Sequence, residues 1–133
     1  MGRKNYLIDT NIVIYYFGLM LTHESESFLD EILKNKYYIS VINRIELLGN
    51  KYIGHKEQEA LDSFLSSSEI FNLDEEIILE TINIRKKYNV KLPDAIIAAI
   101  CIVNNCQLLT NNTKDFAKID DLFTIQVDLL KFS

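Results

Sequence analysis

The sequence is short of positive charge, of cysteine and of chain breakers. Among its 133 residues are one proline, four glycines and two cysteines. No Gly- or Pro-rich linker, low-complexity tract or internal repeat interrupts it, so a single domain over residues 1–133 is expected. Two cysteines cannot make a disulfide framework. Cys101 and Cys106 lie five apart in an expected helix, which turns them to different faces and disfavours both a mutual disulfide and a paired metal site. They read as small buried hydrophobes. No apolar run approaches the ~20 residues that a membrane helix needs. The opening "MGRKNYLIDTN" goes directly from basic residues to a strand-like run without the apolar core of a signal peptide, so a cytoplasmic location is expected.

Lysine and arginine total 14 against 19 acids, giving a formal net charge of −5. Taken alone, this argues against nonspecific affinity for nucleic acid, which is largely an electrostatic effect. It does not exclude a nuclease, because acids gathered around a divalent cation lower the net charge without facing the substrate. Hydrophobic residues at 48% and charged residues at 25% give an ordinary globular balance, and the length suffices for a real core.

Short apolar runs alternate with helical patterns. "NYLIDT" (5–10), "YYISVI" (37–42), "EIFNL" (69–73), "CQLLTNN" (106–112) and "LFTIQ" (122–126) read as strands. "NIVIYYFGL" (11–19) reads as a helix, although its β-branched and aromatic content suits a strand equally well. A helix over 24–36 puts Phe28, Leu29, Ile32 and Leu33 on one face, and one carried by "KEQEALDSFLSS" aligns Ala60, Leu61, Phe64 and Leu65. A helix carrying Glu46 follows the second strand. Asp74 is a candidate N-cap, with Leu73 and Ile78 spaced as a hydrophobic staple. The helix over 75–88 is expected to bury Ile77, Ile78, Ile82, Ile84 and Tyr88. "NVKLPDAIIAAICIVNN" is apolar almost all round and therefore central. This alternation predicts an α/β fold, a three-layer α/β/α sandwich with a mainly parallel sheet of four to five strands.

In such sheets function gathers outside the carboxyl ends of the strands. Asp9 directly follows the first strand, Glu46 lies about a turn beyond the second, Asp94 opens the central helix, and Asp115 follows the fourth strand. Each has a plainer reading: Asp9 and Asp115 as helix caps, Glu46 as a solvated residue, Asp94 beside Pro93 as a first-turn acid favoured by the helix dipole. Together at one rim, they repel and lose hydration, and so need a proton or a cation. Mg²⁺ takes a few carboxylates while keeping several waters. It can then orient a water, lower its pKa and stabilise charge on a phosphoryl oxygen.

Four blocks carry a resemblance. "YLIDTNIVIYY" (Asp9, Thr10, Asn11), "ISVINRIELLG" (Ser40, Glu46), "LPDAIIAAI" (Asp94, Ala98, Ala99) and "LLTNNTKDF" (Thr110, Asn112, Asp115, Phe116) stand in that order along nearly the whole chain. In these blocks the chain resembles a PIN-domain ribonuclease, most closely a VapC-type toxin of a toxin–antitoxin pair. Asn43 departs from the threonine frequent in that family. The resemblance implies Mg²⁺ or Mn²⁺ held by Asp9, Glu46, Asp94 and Asp115, with Thr10, Asn11, Ser40, Thr110 and Asn112 supporting the carboxylates or the water. It implies endonucleolytic cleavage of RNA to a 3′-hydroxyl and a 5′-phosphate, a homodimer, and a VapB-like antitoxin that covers an apolar groove. "IVIYYFGL" is a candidate contributor to that groove. Arg3, Lys4, Arg44, Lys51 and Lys114 are candidate RNA contacts, with Lys56 and Lys118 beside them. Arg85, Lys86, Lys87 and Lys91 are a further possibility, against the plainer reading of a solvated helix end.

Rival chemistries fail on particular residues. A phosphoacceptor receiver domain needs paired acids at the first strand and a lysine after the fifth, and "LFTIQVD" offers none. A haloacid-type phosphatase needs a second aspartate two residues after the first, where Asn11 stands. A housekeeping nuclease without an antitoxin, or a noncatalytic metal-binding module, remain the alternatives.

Overall fold

The fold is known from a computed structural model that describes residues 4–131. In chain order the elements are β1 (Asn5–Ile8), α1 (Thr10–Phe17), α2 (His23–Leu33), β2 (Tyr38–Ser40), α3 (Val41–Leu48), α4 (His55–Ser67), β3 (Glu69–Phe71), α5 (Glu75–Lys87), α6 (Leu92–Asn104), β4 (Cys106–Thr110), α7 (Thr113–Phe116) and β5 (Thr124–Gln126). The strands form one sheet in the order β3-β2-β1-β4-β5, and every pairing is parallel.

Because successive strand residues face opposite ways, β1, β2 and β4 feed two cores. Leu7, Tyr38 and Leu108 meet Ile77 and Ile84 of α5 and Ala95, Ala98 and Ala99 of α6 on one face. Ile8, Ile39 and Leu109 meet Ile12 of α1, Leu29 of α2 and Leu61 of α4 on the other. Helix α3 stands over the strand ends between the layers: Leu47 joins the second core and Ile42 packs on the first. This is the expected three-layer sandwich, with five strands, all parallel.

Several local expectations need correction. Val41 and Ile42 open α3 rather than extend β2, because Ser40 and Asn43 form a reciprocal capping box that starts the helix at Val41. Asp74 does cap α5, but Leu73 and Ile78 are 46% and 40% exposed and make no closed staple. Ile82 is likewise exposed, while Thr81 is buried in its place. Ala60 is exposed and Tyr88 only partly buried. Asp115 lies within α7 rather than capping it. Cys106 begins β4, as the strand reading of 106–112 has it, so it does not share a helix with Cys101; both thiols are free and buried, with burial pushing Cys106 up to about 11.

Candidate active site

The strand order reverses between β1 and β4: the chain leaves β1 for β2 and β3 on one side, then returns to β4 and β5 on the other. A parallel sheet opens a crevice at the carboxyl ends of such a pair. Ile8 pairs with Leu109, so the next residues, Asp9 and Thr110, face each other at the mouth of that crevice. Thr110 Oγ1 donates to Asp9 Oδ2 at 2.8 Å and accepts from the backbone N–H of Asn112 at 2.9 Å. Asp9 Oδ1 accepts from Thr10 N at 2.9 Å and Asn43 Nδ2 at 3.2 Å. Asp9 also serves as the N-cap of α1, so the capping reading holds beside its place in the cleft.

Asn43 ties the second block to the first. Its Oδ1 accepts from the backbone N and the hydroxyl of Ser40, at 3.2 and 2.6 Å. That orientation aims Nδ2 at Asp9 and at Thr10 Oγ1, the latter at 2.9 Å. With its oxygen accepting from Asn43, the Thr10 hydroxyl donates to Glu46 Oε1 at 2.8 Å. A continuous chain of donors therefore runs from the end of β2 to the exposed carboxylate of Glu46.

Asp94 is the third residue of α6, after Leu92 and Pro93, where its charge suits the helix N-terminus. Asp115 lies on α7 and its Oδ2 accepts from Asn112 Nδ2 at 2.8 Å. Both acids line a notch of ≈ 110 Å³ with Lys91 and Lys118.

Burial pushes the Asp9 carboxyl above the usual carboxylate range; the bonds from Thr110 and Thr10 offset this in part, and Glu46 and Asp94 push it further up. Burial raises Asp94 too, followed by the charges of Asp115 and Glu46, with Lys91 opposing. These influences join Asp9 to Glu46 and Asp94, and Asp94 to Glu46 and Asp115. Among the described residues no three His, Cys, Asp or Glu side chains converge tightly enough to cage a metal by themselves. The donors present are hard carboxylate oxygens that repel one another. They fit an ion of the Mg²⁺ kind, which takes one or two carboxylates and keeps most of its waters.

Other residues singled out in the sequence are distributed as follows. Asn11 Oδ1 accepts from Asn111 N at 3.4 Å, holding α1 to the strand-four turn. Arg3 lies outside the described residues. Lys4 precedes β1, at the strand end opposite Asp9, and lines a cavity of ≈ 500 Å³ with Tyr6, Phe28 and Lys36. Arg44 is exposed on α3, Lys56 on α4 and Lys114 on α7. Lys51 sits over the ring of Tyr52. Arg85 donates to the carbonyl of Val90 at 2.6 Å, and Lys87 sits over Tyr88. Sequence reasoning treated Asn43 only as a departure near Glu46 and missed its direct bond to Asp9. Its signal was the Ser-x-x-Asn spacing at a strand end, a reciprocal cap whose amide has a second end to use.

Residues 6–122 match the model of the PIN domain family, and the chain belongs to that family. No curated protein matches the sequence. Among solved structures, it is similar to a chain of a toxin–antitoxin complex from Klebsiella pneumoniae, at 32% identity and a TM-score of 0.74, over 92% of this chain and 97% of that one. VapBC2 from Rickettsia felis, bound to a DNA fragment from their promoter, shows 28% identity and a TM-score of 0.77 over 92% and 98% of the chains. FitAcB from Neisseria gonorrhoeae shows 26% identity and a TM-score of 0.73 over 91% and 96%.

Proposed function

We propose that this PIN-domain chain is a Mg²⁺- or Mn²⁺-dependent endoribonuclease and the toxin of a toxin–antitoxin pair. The observation that carries the reading is Asp9, an aspartate only 8% exposed at the point where the strand order reverses, pressed upon by Glu46 and Asp94. Like charges held there are unfavourable unless a proton or a cation joins them. Asp9, Glu46, Asp94 and Asp115 would hold the ion, some directly and others through water. When bound, the ion supplies an activated water and stabilises charge on a phosphoryl oxygen. Thr110 and Asn43 fix the Asp9 carboxylate, Thr10 fixes Glu46, and Asn112 fixes Asp115. Hydrolysis of the phosphodiester would leave a 3′-hydroxyl and a 5′-phosphate.

The toxin role draws on the solved relatives, which are toxin–antitoxin complexes. It also draws on an apolar groove of ≈ 600 Å³ between α1, α3 and α4, lined by Val13, Ile14, Phe17, Leu47, Ile53 and Leu61. Ile14 and Phe17 are 43% and 42% exposed, so part of the aromatic-rich first helix faces outward, as a surface for an antitoxin segment would.

The test is cleavage of RNA by the purified chain with Mg²⁺ or Mn²⁺, with excess chelator, and in Asp9→Asn and Asp94→Asn. The expected result is cutting that needs the ion and vanishes in both variants while circular dichroism stays that of the wild type. Cutting that persists in chelator or in either folded variant would refute the assignment.

A further inference from the structure

We propose that Lys91 and Lys118 form a clamp for a backbone phosphate of the RNA strand, seated in the notch beside Asp94 and Asp115. The inference rests on the nuclease reading above and adds where the substrate is held.

The notch is a built feature. Its wall is the turn between α5 and α6, and two cationic side chains brace successive carbonyls of that turn. Lys118 Nζ donates to Asn89 O at 3.0 Å, and Arg85 Nη1 to Val90 O at 2.6 Å. Lys91 follows directly, immediately before the helix that carries Asp94. Anchored in this way, Lys118 still has two N–H donors to offer.

Both lysines share the notch with two carboxylates, yet neither closes an ion pair with them; Lys91 acts on Asp94 only from a distance. Among the described residues the ion pairs are Lys34–Glu31 and Lys36–Glu69, both elsewhere. Asp115 is held instead by the Asn112 amide. Carboxylates and ammonium groups therefore stand side by side with each sign available, the acids for a cation and the lysines for an anion. A phosphodiester next to a metal-bound one presents that pairing of needs. This placement also answers the charge objection, because a chain at −5 cannot attract RNA by its overall field and must do so locally. Among the basic candidates, these two line the notch with the acids.

The experiment measures affinity of a short oligoribonucleotide for the metal-free Asp9→Asn chain, which leaves the probe uncut, across a range of salt concentrations. Each phosphate contact on a single strand contributes a slope of about −0.7 in log affinity against log salt. Lys91→Ala and Lys118→Ala together should flatten the slope by about that amount and each alone by part of it, and Lys118→Arg should keep the slope of the parent chain. Mn²⁺ affinity, measured by calorimetry with Asp9 intact, should not fall in either lysine variant. Unaltered slopes would overturn the clamp. So would an Lys118→Ala variant that loses affinity at constant slope, which would make Lys118 only a brace for the turn. Flattened slopes in a chain that binds no Mn²⁺ would support the clamp while refuting the metal-dependent nuclease, so the two failures are distinct.

Discussion

Asn43 has no exposed surface, and both ends of its amide are engaged: two donors from Ser40 on the oxygen, two acceptors, Asp9 and Thr10, on the nitrogen. Replacing it with alanine leaves Ser40 N without its side-chain partner and frees both Asp9 and Thr10. Loss of one buried partner costs about 1–3 kcal/mol, readable by urea denaturation. Groups that orient metal ligands typically matter by 10–100-fold in metal affinity, so Asn43→Ala should weaken Mn²⁺ binding by roughly 10-fold or more in calorimetry. Thr10→Val should weaken it as well, and the double variant should be little worse than the weaker single. Independent, multiplying effects would show that Asn43 does not act through Thr10.

A second expectation at this scale concerns pH. The folded carboxyls of Asp9 and Asp94 lie above their ordinary value of 3.8. Between the ordinary and the raised values the native chain binds more protons than the unfolded one. Stability of the metal-free protein therefore falls as pH rises through that interval and is regained as pH falls. The difference in urea midpoint between wild type and Asp9→Asn, measured in chelator, should shift in favour of the wild type as pH falls from neutral into the ordinary carboxylate range. A constant difference would contradict a raised Asp9 carboxyl in the folded chain.

Asp9, Asp94 and Asp115 were legible because each follows a recognisable strand or opens a recognisable helix, and Glu46 because it lies about a turn beyond a strand end. Their supports were legible only in part. Thr110 and Asp9 are 101 positions apart, and nothing but the β1–β4 register puts one beside the other.

At the level of elements, the central helix was plain from its apolar character, while the orientation of α5 was not. Counting isoleucines placed Ile78 and Ile82 in the core. The buried stripe instead runs Ile77, Thr81, Ile84, because the Thr81 hydroxyl satisfies itself on the Ile77 carbonyl at 2.8 Å and can be buried at little cost. A polar residue in the stripe is invisible to a hydrophobic pattern. Helix α6 leaves no such latitude: Ala98 and Ala99 have no exposed surface against the sheet and α5. Ala98→Leu should overpack this contact and destabilise by about 1–3 kcal/mol, seen as a lower urea midpoint at unchanged slope. A neutral result would mean that α6 and the sheet are not in close contact.

For the whole molecule, the alternation of runs was sufficient to indicate layers and a parallel sheet, but not the strand order that brings Asp9 against Thr110. No helix among the described residues is long and apolar enough to cross a membrane. The outward residues of α5 have a consequence at this scale. Ile78, Leu79 and Ile82 are 40–53% exposed, Glu75, Glu76 and Glu80 precede or flank them, and Arg85, Lys86 and Lys87 follow. Two copies of α5 laid antiparallel would match the acidic end of one with the basic end of the other around this apolar centre, giving a two-fold dimer. Light scattering should find a dimer for the wild type and a monomer for Ile78→Asp with Ile82→Asp. A dimer that survives both changes would place the contact elsewhere.

The proposal of a shared ion is tested most directly by anomalous diffraction from crystals grown with Mn²⁺. The expected map has a manganese peak in the cleft between β1 and β4, with Asp9 and at least one of Glu46, Asp94 and Asp115 in direct contact and the rest joined through water. Manganese bound away from Asp9, or a fully formed cleft that stays empty at saturating Mn²⁺, would contradict it.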